Sequence, residues 1–154
     1  MIAWNFQRIV GTCQFRVPWF GYPCGYSSLT IDAVPDNFLF IDSEDGSEDI
    51  RLIDWEYAGM QDPHVDIAMF CIYAMYDRKQ IDKLINAYFT EGCPKEIRIK
   101  IYCYIAACGL LWSNWCEYKR NLGIDFGEYS LRQYRYAKDY YNVVQDELQK
   151  MEDR

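Results

Sequence analysis

Three oxygen-bearing side chains stand at a spacing that suits phosphoryl transfer. Asp32 is followed five residues later by Asn37, and Asp54 stands beyond two strand-like runs. In phosphoryl transfer one carboxylate orients or deprotonates the attacking hydroxyl, while an amide oxygen and a second carboxylate hold the Mg²⁺ that bridges the phosphates. Taken singly, each residue is better explained as a turn or strand-end residue. Their joint spacing and strand context favour the chemical interpretation.

Two short β-type runs must position these side chains. The runs cover residues 37–41 and 50–53, and the polar, acidic segment 42–49 between them has Gly46 at its middle. This pattern predicts a β-hairpin with a solvent-exposed turn. Because the strands of such a hairpin begin and end at the same rim, we expect the three oxygen-bearing side chains to come together there.

The rest of the chain is predicted to be helical. Asp62 can cap a helix that continues to about Tyr76, and Pro63 suits the first position of that helix. Three further helical segments are expected at about 79–89, 94–123 and 128–151. A small hairpin followed by about four helices is an α+β fold that is mostly helical.

Residues 1–29 show no sustained helical or strand period. They are interpreted as an unassigned leader or as the remnant of a preceding lobe, and residues 30–154 as a single lobe. A chain of 154 residues is long enough for one domain with a real core and too short for two.

The charge balance limits the partners that the chain can have. The net charge is −7 and Lys and Arg do not cluster, which argues against nucleic acid as a partner. No apolar run approaches the roughly 18 residues of a membrane span, and Met1–Val10 lacks the pattern of a signal peptide. We therefore expect a cytoplasmic protein without a membrane span.

The cysteines are predicted to be structural. The chain has seven of them without a CxxC pair, and its single histidine is His64, so a zinc site has little support. Cys103, Cys108 and Cys116 lie within an apolar helical pattern, where we expect buried and reduced thiols.

Aromatic side chains recur on the two long predicted helices. On the first, one face carries Ile101, Ile105, Cys108, Trp112 and Trp115. On the second, tyrosines recur at spacings of seven and four, at Tyr129, Tyr136 and Tyr140. Two antiparallel helices would bring these rings together, either as ordinary core or as an aromatic cage for a quaternary ammonium, which ring faces bind without hydrogen bonds.

Two motifs resemble those of a known family. Thr30-Ile-Asp-Ala-Val-Pro-Asp-Asn-Phe-Leu39 and Leu52-Ile-Asp-Trp-Glu-Tyr-Ala-Gly59 are similar to the catalytic-loop and metal-loop motifs of the choline kinase and aminoglycoside phosphotransferase superfamily, the second particularly to those of bacterial choline kinases. The resemblance implies the carboxy-terminal lobe of a protein-kinase-like fold, with Mg²⁺ as cofactor and ATP as co-substrate. It also implies Asp32 as the catalytic aspartate, Asn37 as a ligand of metal or phosphate, and Asp54 as the principal Mg²⁺ ligand.

The same resemblance assigns substrate-binding residues. The run Leu111-Trp-Ser-Asn-Trp115 is similar to the paired-tryptophan helix of the family, and Tyr136-Ala-Lys-Asp-Tyr140 to the tyrosine motif of its final helix. It therefore implies a pocket for choline or a related amino alcohol. The residues assigned to its walls are Trp112, Trp115, Tyr136 and Tyr73.

The resemblance has two departures. Thr30 stands where the family has a histidine that braces the catalytic loop, and His64 is not assigned as its replacement. In addition, no Gly-rich loop and no strand lysine with a partner glutamate precede the catalytic loop. Asp66 fits the family's pattern and is given a structural role behind that loop.

The favoured function is transfer of the γ-phosphate of ATP to the hydroxyl of choline or a related amino alcohol, by a chain that is truncated and weakly active or inactive alone. Two alternatives stay open, a non-catalytic choline-binding protein and a helical interaction module. A missing amino-terminal lobe would leave apolar surface near the hairpin uncovered, which predicts self-association or a partner.

Overall fold

The computed structural model describes residues 27–29, 32, 34–42 and 48–153. The chain divides into two compact units, Met1–Cys93 and Pro94–Arg154. The predictions on residues 1–26, on Thr30 and on the turn around Gly46 fall outside the described residues.

The described part of the first unit contains four short strands in two antiparallel pairs. Their bounds are β1 Ser27–Leu29, β2 Phe38–Asp42, β3 Glu48–Leu52 and β4 Gly59–Gln61. The predicted hairpin is confirmed as β2 and β3, which pair with Phe38 opposite Leu52. Strands β1 and β4 pair with Leu29 opposite Gly59. These two strands were not predicted, because three residues are too few to show a period of two.

Two helices complete the first unit, α1 His64–Tyr73 and α2 Arg78–Tyr88. Residues 67–72 of α1 are all buried, so this helix is apolar nearly all round. It ends three residues before the predicted end at Tyr76, because Met75 adopts a left-handed backbone with φ 54°, through which a right-handed helix cannot continue.

Helix α2 begins at a capping box. The Asp77 side chain accepts a hydrogen bond from the Gln80 backbone N–H at 2.9 Å, and the Gln80 side chain accepts one from the Asp77 N–H at 2.8 Å. This reciprocal pair satisfies two donors that a helix end leaves without intrahelical partners. The Asp-x-x-Gln spacing places the start at Arg78, one residue before the predicted start at about Lys79.

Phe38 anchors the hairpin on helix α1. Its buried ring packs edge-on against Phe70 with centroids 5.8 Å apart, and Phe70 packs in the same way against Tyr76 at 5.7 Å. Burial of a phenylalanine side chain contributes roughly 1.5–3 kcal/mol. Because Phe38 directly follows Asn37, this contact also fixes the end of the loop that precedes the hairpin.

The second unit is an antiparallel pair of long helices, α3 Lys95–Asn121 and α4 Glu128–Glu152. Both helices were predicted with nearly these bounds. Residues near the start of α3 contact residues near the end of α4, and residues near the end of α3 contact residues near the start of α4. These contacts join Lys95 to Glu147 at 3.7 Å, the Tyr102 ring to the Tyr140 ring at 5.5 Å, and the Ser130 hydroxyl to the Glu117 carboxylate at 2.9 Å.

The backbones of α3 and α4 approach most tightly at Gly109. A Cβ atom at this position would lie 2.8 Å from the Gln133 carbonyl oxygen and 2.8 Å from the Tyr136 Cβ. Real Cβ atoms almost never come so close to other atoms, so glycine permits the close packing of the two helices here.

One cysteine prediction is wrong. Cys116 is buried and Cys108 is half-buried, but Cys103 is exposed. The buried face of α3 passes through Tyr102, and the next residue is rotated about 100° away from it, towards solvent. Burial raises the pKa of the Cys108 thiol to about 11, whereas Cys103 lies at the surface.

The predicted fold class is confirmed: an α+β chain, mostly helical, in which a hairpin precedes four helices. None of the helices in the described ranges combines the length and the apolar character needed to cross a membrane.

Candidate active site

The loop from Asp32 to Asn37 is held by hydrogen bonds that converge on one carbonyl group. The Asp32 carbonyl oxygen accepts from the Val34 N–H at 2.7 Å and from the Asn37 side-chain amide at 3.0 Å. Pro35–Asn37 forms a single 3-10 turn, and the Asn37 N–H donates to the Val34 carbonyl at 3.0 Å. Because Nδ2 is the donor to Asp32, the Oδ1 atom of Asn37 is the atom with which this side chain could hold a cation.

The strand register brings Asn37 beside the second loop. The Ile53 N–H donates to the Asn37 carbonyl at 3.0 Å, which extends the β2–β3 pairing by one residue. Asp54 is therefore the first residue beyond the paired strand. The register joins the backbones of the two loops at the hairpin rim, and the convergence of the three side chains there stays a prediction.

Asp54 adopts an unusual backbone conformation. Its φ angle is 61°, in the left-handed region that few non-glycine residues enter, and its side chain is exposed. Strained backbones of this kind cluster at functional sites. The loop after it is fixed by two hydrogen bonds, from the Trp55 indole to the Leu52 carbonyl at 2.9 Å and from the Ala58 N–H to the Trp55 carbonyl at 3.0 Å.

Negative charge converges on the Tyr57 hydroxyl, whose pKa is raised above its usual value. A hydrogen bond to Glu56 is the largest cause, followed by the charge of Glu56, desolvation, and the charges of Asp32 and Asp54. Two carboxylates that are 22 residues apart in the sequence thus act on one exposed side chain. The two loops together form an anionic patch.

The oxygen donors of this patch fit Mg²⁺. Mg²⁺ prefers carboxylate and carbonyl oxygens and usually keeps several waters or phosphate oxygens, so one or two protein ligands suffice. Asn37 supplies an amide carbonyl oxygen, and Asp54 supplies carboxylate oxygens. Within the described ranges, no group of three or more His, Cys, Asp or Glu side chains is arranged to hold a metal ion, so an ion here would rely on oxygens from a substrate or water.

His64 occupies a structural position at the start of α1. The Asp62 carboxylate lies 2.8 Å from the His64 Nδ1 and also accepts from the His64 backbone N–H at 3.0 Å. The imidazole packs against the Phe89 ring, with centroids 5.6 Å apart. Asp66 lies in the first turn of the same helix, and Tyr73 is its last residue, half-buried.

The two tryptophans of the second unit form a perpendicular pair. The Trp112 and Trp115 rings are 5.1 Å apart with an interplanar angle of 90°. Trp115 also packs against Phe126 at 5.0 Å, and the ammonium of Lys119 lies 5.3 Å from the Trp115 ring centroid. Sequence reasoning missed Phe126 and Lys119. Phe126 lies in the loop between the helices, outside any helical period, whereas Lys119 follows Trp115 by four residues and could have been found from that spacing.

Tyr136 lies on helix α4 beside a buried tyrosine. Its ring packs against Tyr140 at 6.3 Å, and Tyr140 in turn packs against Tyr102 inside the unit. Tyr140 is therefore core, whereas Tyr136 is half-buried and Trp115 is exposed. The roles that the sequence assigns to Trp112, Trp115 and Tyr136 remain predictions.

A model of a known protein family matches part of the chain. A model described as the phosphotransferase enzyme family matches residues 31–99, which contain both loops and helices α1 and α2. The predicted resemblance to the choline kinase and aminoglycoside phosphotransferase superfamily is confirmed by this match and by the individual proteins that follow.

The chain is similar to LicA proteins. Protein LicA of Haemophilus influenzae is 30% identical over 141 residues, which make up 85% of this chain and 45% of LicA. The crystal structure of choline kinase LicA from Streptococcus pneumoniae matches with a TM-score of 0.57 at 29% identity, over 92% of this chain and 48% of that one. A crystal structure of LicA in complex with AMP matches with a TM-score of 0.58 at 28% identity, over 91% and 46%.

A further crystal structure shares the fold. It is a choline/ethanolamine kinase family protein from Mesorhizobium loti, with a TM-score of 0.60 at 23% identity, covering 90% of this chain and 44% of that one. The chain thus spans less than half the length of each of these relatives.

Proposed function

We propose that the chain carries the catalytic and acceptor-binding part of a choline-kinase-like phosphotransferase. The reaction moves the γ-phosphate of ATP to the hydroxyl of choline or a related amino alcohol. The observation that carries the proposal is the hydrogen bond from the Asn37 amide to the Asp32 carbonyl, in a loop whose strand register adjoins Asp54. The similarity to the choline kinase LicA supports the choice of substrate.

Asp32 acts on the acceptor. Its carboxylate orients the choline hydroxyl and receives the proton as the oxygen attacks phosphorus, which is the part that a catalytic aspartate performs in this chemistry. The 3-10 turn and the Asn37 amide hold the backbone of Asp32, so that the carboxylate meets the hydroxyl from a fixed direction.

Asn37 and Asp54 would hold Mg²⁺ with their side-chain oxygens. When bound, the ion neutralises phosphate charge and aligns the transferred group. The left-handed backbone of Asp54 sets the direction in which its carboxylate projects from the chain. Glu56, which is also exposed in this loop, adds to the attraction for a cation.

The substrate's quaternary ammonium is bound by aromatic faces. Trp112 and Trp115 form a corner of two perpendicular rings, and Tyr136, on the neighbouring helix of the same unit, supplies a further wall. A cation over an aromatic ring gains about 0.5–2 kcal/mol. Aminoglycosides need many acidic hydrogen-bond acceptors, whereas this site offers aromatic rings, which favour choline. Ethanolamine belongs to the same class of amino alcohols as choline.

The nucleotide is ATP, and the AMP complex of a LicA relative supports nucleotide use. The 154 residues contain no Gly-rich loop and no lysine on a preceding strand to hold the phosphates. We therefore propose that this chain alone transfers phosphate weakly or not at all. The same feature favours the second candidate, a protein that binds choline without catalysing its phosphorylation. We also propose a cytoplasmic location, as predicted from the sequence.

Calorimetric titration with choline tests the acceptor site. Saturable binding that Trp112→Ala weakens at least about fivefold supports it. Tyr118→Ala is the matched control, because Tyr118 is an exposed aromatic residue of the same helix with no assigned role. No heat from a folded sample up to about millimolar choline, the weak limit of specific binding, would leave the rings as core and contradict the acceptor site.

The metal site has a test that does not depend on turnover. An ion held between Asn37 and Asp54 would offset the negative charge that acts on Tyr57, so Mg²⁺ should change the ¹³C chemical shifts of the Tyr57 ring at neutral pH. The ring signals are assigned with Tyr57→Phe. Ring shifts that Mg²⁺ leaves unchanged, or that it changes equally in Asp54→Asn, would contradict the proposed ligand.

A further inference from the structure

Lys119 places an ammonium group over one ring of the tryptophan corner, the perpendicular pair of Trp112 and Trp115. Its Nζ atom lies 5.3 Å from the centroid of the Trp115 ring, within the roughly 6 Å at which an aromatic face attracts a cation. Because Lys119 follows Trp115 by four residues, the two side chains lie on the same side of α3. Side chains of a helix lean towards its amino terminus, so the stem of Lys119 runs back over the turn that carries Trp115.

The neighbouring cation of α3 has a different kind of partner. Arg120 donates to the Glu117 carboxylate at 2.8 Å and lies 3.8 Å from that of Asp125. The contact that the structure gives the Lys119 ammonium is the Trp115 ring, with no carboxylate of the described residues within ion-pair distance. Lys119 is also half-buried, although lysine side chains are mostly exposed. The ring face therefore takes the place of an acidic partner.

The backbone of Lys119 is fixed by the end of the helix. Its carbonyl oxygen accepts from the Leu122 N–H at 2.9 Å and from the Ile124 N–H at 3.1 Å. Gly123 between them has a left-handed φ of 86°, which is typical of the residue that follows a helix. Because the backbone is held, the ammonium can leave the Trp115 ring by movement of its flexible four-carbon stem.

We propose that Lys119 is a resident cation of the tryptophan corner, which a quaternary ammonium must displace in order to bind. The displacement rests on the proposed function, which makes this corner the site of the substrate's ammonium. Two cations at one ring repel each other, and more strongly where neighbouring rings exclude water. The exchange favours the ligand, because a quaternary ammonium cannot donate hydrogen bonds to water, whereas the Lys119 ammonium regains such bonds in solvent.

A resident cation lowers the apparent affinity of every ligand that must displace it. The apparent dissociation constant rises by the reciprocal of the fraction of molecules in which the corner is open. That fraction is a property of the protein, so the factor is the same for choline and for any other ammonium that uses this ring. Lys119 therefore sets how tightly an ammonium must bind the rings to occupy the site, without changing the order of preference among ammonium compounds.

Proton NMR of the full chain tests the displacement, with tetramethylammonium as the probe. Protons over the face of an aromatic ring resonate upfield, so the ε-methylene signals of Lys119 should lie upfield of those of other lysines. They are assigned by their absence from Lys119→Gln, and saturating tetramethylammonium should return them to the ordinary position. Lys79, exposed near the start of α2, is the control lysine whose signals should not move. Lys119 signals that stay upfield while calorimetry shows saturable binding of the probe would overturn the proposal and leave ammonium binding by the chain intact.

Calorimetry measures the factor. Lys119→Gln should tighten the binding of tetramethylammonium and of choline by the same factor, about two- to fivefold, the scale of an exposed cation–aromatic contact. Lys119→Arg keeps a cation over the ring and should bind both ligands as weakly as the wild type. No tightening in Lys119→Gln, or equal tightening in Lys119→Arg, would overturn the proposal.

The same titrations separate the resident cation from the acceptor site. If neither the wild type nor Lys119→Gln binds either ligand, both the acceptor site and the resident cation are wrong. Binding by Lys119→Gln alone would contradict choline binding by the wild-type chain, and it would support the resident cation, because removal of Lys119 then opens the corner.

Discussion

The two units hold their candidate site residues by different physical means. In the first unit the loops of Asp32 and Asp54 are fixed by main-chain register and by side-chain bonds to carbonyl groups. In the second unit the ring-bearing residues stand on two long helices whose separation is set by the absence of a Cβ at Gly109. The arrangement in the first unit therefore depends on hydrogen bonds, and the arrangement in the second unit depends on the close packing of its two helices.

The chemistry of the two units differs in the same way. The loops of the first unit gather carboxylates around an exposed phenol, which suits a cation that carries phosphate. The second unit offers aromatic faces, one of which already has the Lys119 ammonium over it. The comparison teaches that substitutions should act through charge and register in the first unit and through packing in the second.

The largest effect is expected at the closest helix contact. In Gly109→Ala the new methyl group would meet a backbone oxygen and a Cβ atom, both at 2.8 Å, and neither can rotate away. Overpacking of this kind costs roughly 1–3 kcal/mol, while alanine gains about 1 kcal/mol of helix propensity over glycine. We take the upper end of the overpacking cost and expect a net loss of about 2 kcal/mol in the free energy of unfolding by urea.

Gly59→Ala is the control for that prediction in the first unit. At Gly59 the nearest atom to an added Cβ is 4.0 Å away, an ordinary contact, and the backbone is not left-handed. This variant should change the free energy of unfolding by less than about 0.5 kcal/mol. Equal losses in the two variants would contradict the idea that volume governs the second unit in particular.

Hydrogen bonding is the corresponding weak point of the first unit. Asn37→Ala removes a half-buried bond to the Asp32 carbonyl, and should cost about 1–1.5 kcal/mol. Trp55→Phe removes an exposed bond to the Leu52 carbonyl, and should cost no more than about 0.5 kcal/mol, because water replaces it. Urea unfolding followed by circular dichroism measures both. If Trp55→Phe lost more free energy of unfolding than Asn37→Ala, the bond to the Leu52 carbonyl would stabilise the loops more than the bond to the Asp32 carbonyl does.

Much of this fold can be predicted from the sequence because its elements are long or have a sharp local signal. The helices α3 and α4 have a sustained period of 3.6, and the hairpin is a pair of apolar runs around a polar turn. Strands β1 and β4 could not be predicted, since three residues have no period and their pairing joins segments 30 residues apart. The exposure of Cys103 was missed because the apolar segment was taken as buried throughout, although the helical period places residue 103 about 200° from Ile101 and Ile105.

The candidate site was partly predictable for the same reasons. The spacing of Asp32, Asn37 and Asp54 around two strand-like runs predicts that their loops meet at one rim of the hairpin, and the strand register joins the backbones of the two loops there. The left-handed backbone of Asp54 has no sequence signal beyond the tolerance of aspartate for that region. Phe126 joins the tryptophan pair only because the loop after α3 folds back onto it.

A pH titration sharpens the electrostatic side of the comparison. The raised pKa of Tyr57 means that its hydroxyl stays protonated to a higher pH than an ordinary tyrosine. Removing a negative charge should therefore move its titration to lower pH, most in Glu56→Gln and less in Asp32→Asn or Asp54→Asn, which is the order of the causes. NMR of the Tyr57 ring measures the shift. If Asp32→Asn and Asp54→Asn both leave it unmoved, the two loops do not share an anionic patch.

The smallest effect is expected at the ring that already carries a cation. Lys119 lies over Trp115, and an exposed cation–aromatic contact is worth about 0.5–1 kcal/mol. If the choline ammonium uses the same ring face, Lys119 competes with it, and Lys119→Gln should tighten choline binding about two- to fivefold by calorimetry. Arg120→Gln removes the same charge one residue further on, from a side chain bonded to Glu117 at 2.8 Å. Equal tightening in both variants would reflect only the lost positive charge, whereas no change in Lys119→Gln would mean that this face of Trp115 lies outside the acceptor site.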